Sequence, residues 1–257
     1  MRGTKMKLKI CSFNSRCDTA NDGINNFSCR TGKILEFLKA ESPDIIGFQE
    51  ITPTMREWYV ENLTDYYTVG AGRNPDLSGE APLIAFKKRD MQLVSCDTVM
   101  LSSAPKKFGS RYEGSDQSSC PRAYCRVLLK HDKVAEPFYV YNVHTDHIGA
   151  AARMLASAQL VQDISTCGRL FFMTGDFNAK PDSPEIALIT KSSFISDATA
   201  SVGGTFHAYG KLDEPVKIDY VFTAKGQIPT ECYAVGDNPP DGVYVSDHNP
   251  VVAVFEI

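Results

Sequence analysis

Two short polar clusters, each at the end of an apolar run, hold residue types that could hydrolyse a phosphoester. The first is Phe171-Phe172-Met173-Thr174-Gly175-Asp176-Phe177-Asn178, where a buried strand would deliver a carboxylate and a carboxamide to solvent. Side chains alternate faces along a strand, so Asp176 and Asn178 share one side while Phe177 turns inward. An Asp so placed can orient or deprotonate a water, and an Asn can donate a hydrogen bond to a phosphate oxygen. The second cluster is Ser246-Asp247-His248-Asn249-Pro250, directly before the apolar run Val251 to Phe255. Its imidazole can stabilise a phosphoryl oxygen or exchange a proton near neutrality, and its carboxylate can bind a metal ion or a water. Taken singly, each cluster also reads as an ordinary turn, because Gly, Asp and Asn are common turn residues.

Four further runs repeat the arrangement. Leu8 to Phe13 ends at Asn14, Pro43 to Phe48 ends at Gln49-Glu50, and Phe138 to Val143 ends at His144 with Asp146 and His147 behind it. Val216 to Phe222 carries Asp219 within its length. Helices are predicted between the strands. Arg30 to Ala40 places Ile34, Leu35 and Leu38 on one face, with Pro43 as a stop. Gly149 to Cys167 shows a stripe of Met154, Leu155, Ala158 and Val161 for the core. A short helix should open at Asp182-Ser183-Pro184, where a capping residue precedes Pro. Trp58 falls in a helical pattern after Thr52-Pro53 and is expected to pack against neighbours. Strands alternating with helices, without a linker, predict one α/β sandwich over residues 1–257, with about residues 1–7 readable as a leader.

In chain order, Asn14, Gln49-Glu50, Asn142-Val143-His144-Thr145-Asp146-His147, Gly175-Asp176-Phe177-Asn178, Ile218-Asp219-Tyr220 and Ser246-Asp247-His248 resemble the motifs of the endonuclease/exonuclease/phosphatase superfamily. The resemblance covers nearly the whole chain and points to a small bacterial-type member. It implies a four-layer α/β sandwich of two mainly antiparallel β-sheets, packed face to face and flanked by helices. It also implies Mg²⁺, replaceable by Mn²⁺, with Glu50 as the main ligand and Asn14 and Asp247 beside it. Asp176 would activate the attacking water, Asn178 would hold a phosphate oxygen, and His248 would contact the scissile phosphate with Asp219 behind it. His144 would face the same phosphate. Glu80, which precedes the predicted strand Pro82 to Phe86, is expected to be its carboxylate partner.

Arg73 and Arg122 lie in segments predicted to flank the mouth, and a guanidinium matches phosphate geometry. Arg122 resembles an arginine that precedes an apolar strand in small bacterial members, although Ala123-Tyr124-Cys125 departs from the Trp often found there. Arg73, Arg122 and Glu80 also read as solvated loop charges. Asp146 and His147 either extend the site motif or cap the helix behind them. His131 and His207 are expected to be structural, with His207 also considered for substrate contact. The polar stretch Ser102 to Ser119 reads as a long loop that shapes access.

The chain has 257 residues, 43% of them hydrophobic and 23% charged, which suits a soluble globular fold with a sizeable core. A net charge of -4 and a pI near 5.8 argue against a broad basic surface for duplex nucleic acid, despite the local patch Lys106-Lys107 with Arg111. No secretory signal or membrane-length apolar run is visible, so a cytoplasmic location and eight free cysteines are expected. The leading expectation is a Mg²⁺-dependent, nuclease-type phosphodiesterase using direct water attack, with nucleic acid among its candidate substrates. The close rival is a phosphomonoesterase acting on a small metabolite such as a sugar or inositol phosphate. A third reading, of another class, is a non-catalytic binding module of the same fold. No obligate protein partner is evident.

Overall fold

Strands that are apolar on both faces must be covered on both faces, and this requirement sets the layering of the molecule. The computed structural model describes residues 6–19, 21–236 and 238–257. One six-stranded sheet has the order β11 (Glu231–Ala234), β12 (Val251–Glu256), β1 (Lys7–Asn14), β2 (Ile45–Ile51), β4 (Ala81–Lys87), β3 (Tyr66–Val69). The other has the order β5 (Met91–Met100), β6 (Ala123–His131), β7 (Phe138–His144), β8 (Phe171–Asp176), β10 (Asp219–Ala224), β9 (Ile195–Asp197). Each sheet is antiparallel except for one central parallel pair, β1 with β2 and β7 with β8. A parallel pair needs a long crossover, supplied by α1 (Phe27–Glu41) in one sheet and α3 (Ala150–Ser165) in the other. The four-layer sandwich expected from the sequence is the fold observed. Of the predicted leader, residues 1–5 lie outside the described residues, whereas Lys7 already pairs with Glu256 in the sheet.

Between the sheets, Leu8, Ile10, Ile84 and Phe86 meet Val127, Leu129, Val140 and Phe172 in one dry core. Burying such side chains stabilises the fold by roughly 1.5–3 kcal/mol each. On the outside, α1 and α2 (Pro53–Asn62) bring Ile34, Phe37, Met55 and Tyr59 onto Phe13 and Phe48. On the other outer face, α3 and α4 (Pro184–Thr190) bring Leu160, Ile164 and Ile186 onto Tyr141 and Met173. Ser183 caps α4 by accepting from the Ile186 amide, as predicted. Trp58 packs edge-on against Phe27 at 5.2 Å.

Two helix faces differ from expectation. The buried stripe of α3 is Ala152, Ala156, Ser157, Leu160 and Ile164, whereas Leu155, from the predicted stripe, is 45% exposed. Small residues at 152, 156 and 157 let the helix sit close to its neighbour and leave Leu155 outward, while Val161 of the predicted stripe packs against the core. In α1 the helix starts three residues earlier than predicted, at Phe27, and its buried face includes Arg30.

A polar bridge joins the sheets just below the mouth. Asn142 donates to the carbonyls of Phe48 and Leu83 at 2.7 and 2.9 Å and accepts from Gln49 Nε2 at 2.6 Å. Thr174 Oγ1 also donates to Asn142 Oδ1. Gly47 makes room for this bridge, since a Cβ there would collide with Thr174 and Asn142. Gln49 and Asn142 therefore fix the two halves of the site relative to one another.

Candidate active site

The two parallel pairs end at the same mouth. Asn14 is in register with Gln49 in one sheet, and His144 with Asp176 in the other, while Asp219 lies beside Asp176 on the antiparallel neighbour. An irregularity between Phe48 and Ile51 breaks the pairing of β2 with β4, and Glu50 takes a positive φ of 64° there. Gln49 is thereby kept between the sheets while the Glu50 carboxylate enters the mouth.

Asn14 ties the halves together. Its amide donates to Glu50 Oε1 at 3.1 Å and to Asp176 Oδ2 at 3.0 Å, while its oxygen accepts from the Arg16 amide. The other Glu50 oxygen accepts from the Cys17 amide at 3.0 Å. Asp176 Oδ1 accepts from the Asn178 amide at 2.9 Å, and Asn178 holds a positive φ of 48°. His248 Nδ1 sits 2.9 Å from Asp219 Oδ2, which places its Nε2 toward Asp176 at 3.9 Å.

Burial and charge pull these groups in different directions. Burial opposes the charged form of His248, but the Asp219 carboxylate outweighs it and raises the imidazole to about 10. Asp176 is pushed up to about 7 by burial and by the nearby Asp219 charge. For Glu50, burial works upward, yet the Asn14 and Cys17 hydrogen bonds prevail and hold it below the usual carboxylate range. Burial raises Asp247. His144 falls well below an ordinary histidine because of burial and the charges of Arg122 and Arg73.

Arg122 explains the protonation of two imidazoles. Its Nη1 lies 3.0 Å from His144 Nε2 and its Nη2 lies 2.7 Å from His147 Nδ1. A guanidinium only donates, so both ring nitrogens accept, and the His144 proton resides on Nδ1 when the ring is neutral. Arg122 is 5% exposed and also lies 3.6 Å from Asp146. Asp146 itself is a structural anchor that accepts from the Ser118 hydroxyl and from the amides of Ser118, Ile148 and Gly149. The first amides of α3 are instead capped by Asp116, from the long loop, at Ala151 and Ala152.

A cavity of about 480 Å³ collects Glu50, Arg73, Glu80, Arg122, His144, Asp176, Asn178, Asp247 and His248 on its walls. Asn14 and Asp219 stand behind them, through the bonds already described. One expected pairing is corrected: the Glu80 carboxylate lies 2.8 Å from Arg73 Nη1 and pairs with that guanidinium rather than with His144. Two charged groups on the loop between β3 and β4 satisfy each other, and His144 takes Arg122. His207 is buried and accepts from the Gly210 amide, and His131 accepts from the Lys133 amide, so both serve the backbone.

The donor set fits a hard divalent cation. Glu50 and Asp176 present carboxylate oxygens within 4.8 Å of one another, whereas the nearby His144 Nε2 is taken by Arg122. Each Glu50 oxygen takes one hydrogen bond and keeps a lone pair, and Asp247 adds another carboxylate to the same cavity. Oxygen donors of this kind suit Mg²⁺ or Mn²⁺.

Sequence reasoning missed Arg16, Cys17, Asp22 and Lys211, which also line the cavity. Arg16 had a signal, since it lies two residues beyond the strand end at Asn14. Tyr209 reads from sequence as one of four tyrosines able to stack on a base, with no spacing that favours it over core or rim; only the folded path of its loop brings it to the mouth.

Fold and site define a metal-dependent phosphoesterase of the sandwich type. The family model described as Endonuclease/Exonuclease/phosphatase family matches residues 11–248, and the chain belongs to that family. It is accordingly an enzyme of the metal-dependent phosphoester hydrolase class. A crystal structure of an endonuclease/exonuclease/phosphatase from Bacteroides vulgatus is similar with a TM-score of 0.90 and 27% identity, covering 98% of this chain and 100% of that one. The mannosyl-6-phosphatase of Bacteroides thetaiotaomicron shares the fold with a TM-score of 0.87 and 21% identity, covering 96% of this chain and 98% of that one. An uncharacterised protein of Acanthamoeba polyphaga mimivirus is 25% identical over 246 residues, or 88% of this chain and 91% of the viral one.

Proposed function

We propose that this enzyme hydrolyses phosphomonoesters of small metabolites, with residues 1–257 acting as one catalytic domain and Mg²⁺ or Mn²⁺ as its metal. The observation that carries this reading is the concentration of cationic groups in a cavity of metabolite size. The Arg122 guanidinium and the protonated imidazole of His248 line the cavity of about 480 Å³, with Arg73 paired to Glu80 on its wall. A monoester phosphate carries up to two negative charges and a diester one, so a second cation beside Arg122 favours the monoester. Polymer binding, the leading expectation from sequence, would call for a basic track with stacking aromatics. Here the sole tryptophan packs on Phe27, and the cavity volume lies in the range of small-ligand sites.

The chain's own residues can carry the steps. Asp176, whose carboxyl is pushed up to about 7 by burial and the Asp219 charge, is a base of suitable strength to orient a water and take its proton. His248, kept cationic by Asp219, donates to a phosphate oxygen on which charge builds up. Asn178 supplies an amide donor beside them, and Arg122 is held in place by His144 and His147. A divalent cation held by Glu50, with Asn14 and Asp247 beside it, would neutralise phosphate charge. The products are orthophosphate and the free alcohol. Among the described residues no helix is long and apolar enough to cross a membrane, and all eight cysteines are unpaired. Unpaired thiols support a reducing, cytoplasmic setting.

The test is phosphate release from a panel of monoesters, run beside gel assays on single- and double-stranded DNA and RNA, with Mg²⁺ titrated and chelated. Release from monoesters without polymer cleavage is the expected result. Polymer cleavage with inert monoesters would overturn the proposal in favour of a nuclease.

A further inference from the structure

Among the described residues, seven that are not glycine have positive φ, and five of them line the one catalytic cavity: Arg16, Glu50, Asn178, Ala208 and Tyr209. A side chain enters this region only at a cost, which persists where surrounding structure enforces it. Of the other two, Ser42 ends α1. Glu50 and Asn178 are accounted for by the metal and the phosphate. Arg16, Ala208 and Tyr209 are not, and they lie on the Asp247 side of the cavity rather than the Arg122 side.

This second wall is built from its base upward. Arg30, fully buried, donates to the carbonyls of Ser15, Arg16, Asn25 and Val245, tying together the segments that follow β1 and precede His248. Arg16 then places Nε and Nη2 on the Asp22 carboxylate at 2.9 and 3.2 Å. Tyr209 donates its hydroxyl to the same carboxylate at 3.1 Å. The turn carrying Tyr209 is pinned by the His207 and Ala208 amides on the Asp247 carbonyl and by the Gly210 amide on His207. The ring of Tyr244 lies 6.1 Å from that of Tyr209.

The chemistry of this wall is specific. Asp22 accepts, the Arg16 Nη1 group unused in the Asp22 pair donates, and Tyr209 offers both a hydroxyl and a ring face. A polyhydroxylated ring presents hydroxyls that donate and accept at once, and C–H faces that lie on aromatics. An apolar leaving group would desolvate the Arg16–Asp22 ion pair without replacing its water. We infer that Arg16, Asp22 and Tyr209 form a leaving-group subsite that selects phosphate esters of polyhydroxylated rings, the class of hexose and cyclitol phosphates. This rests on the monoesterase reading and adds the identity of the alcohol.

The experiment compares hexose 6-phosphates and inositol monophosphate with p-nitrophenyl phosphate, using wild type, Tyr209→Phe and Asp22→Asn. Wild type should show the lower KM for the ring monophosphates. Each variant should lower the ratio of kcat/KM for ring phosphate over nitrophenyl phosphate by about tenfold, the scale of one hydrogen bond involving a charged group, through KM rather than kcat. Thermal melts establish that the variants fold, and Tyr209→Phe, which keeps the ring, serves if Asp22→Asn does not. An unchanged ratio, or a lower wild-type KM for nitrophenyl phosphate, overturns the subsite while leaving the monoesterase reading intact. Inactivity of wild type on every monoester overturns both.

Discussion

The two sides of the catalytic mouth are made by different means. The phosphate side is carried on the ends of central strands, where Asn14, His144 and Asp176 follow apolar runs and Gln49 and Asn142 lock the sheets together. The other side is carried on loops, where Arg16 and Tyr209 hold positive φ and depend on Asp22 and the buried Arg30. The contrast suggests a division of labour: strand ends keep reacting groups at fixed distances, whereas loops can change alcohol specificity without disturbing them.

The comparison can be broken most sharply at Asp176. Asp176→Ala should lower kcat by roughly 10³-fold, within the usual range for a lost general base, with an unchanged melting profile. Activity within tenfold of wild type would remove Asp176 from the water-activating role. Next is Asp219→Asn, which weakens the partner of His248 and should reduce kcat about a hundredfold, measured by phosphate release at saturating substrate. A loss confined to KM would argue that Asp219 supports binding alone.

Loop anchoring should appear as stability. Asp146 is held at about 2, because hydrogen bonds from Gly149 and Ser118 outweigh the upward effect of burial. A folded-state value below the unfolded one stabilises the protein above the unfolded pKa, and this contribution is lost as pH falls through the folded value of about 2. Asp146→Asn should therefore cost on the order of 2 kcal/mol at pH 7, with the difference from wild type shrinking as the pH approaches the folded value. Urea midpoints at several pH values measure it. A pH-independent difference would assign the loss to packing.

The legibility of the site follows the same division. Asp176, Asn178, Asp247 and His248 could be read because a continuous apolar run announces where its polar end will lie. The crossover helices and the Ser183 cap were legible for similar local reasons. The inward face of α3 was not, since Met154 and Leu155 are as apolar as Leu160 and only the close approach at Ala156 and Ser157 decides between them. Nor was the partner of Glu80, because the unknown path of its loop could have turned it toward His144 or back onto Arg73 of the same loop. Arg30 illustrates the limit: an arginine on a helix reads as a solvated face until four carbonyls from distant segments converge on it.

The measurement closest to the central claim counts charges on the bound phosphate. Wild type and Arg122→Gln would be compared on p-nitrophenyl phosphate and bis(p-nitrophenyl) phosphate at saturating Mg²⁺. If Arg122 reads the second charge of a monoester, the variant should lose up to about a hundredfold in kcat/KM on the monoester and less than about tenfold on the diester, the scale of a charge-assisted hydrogen bond. Equal losses on both substrates, or a wild type that prefers the diester, would contradict the account.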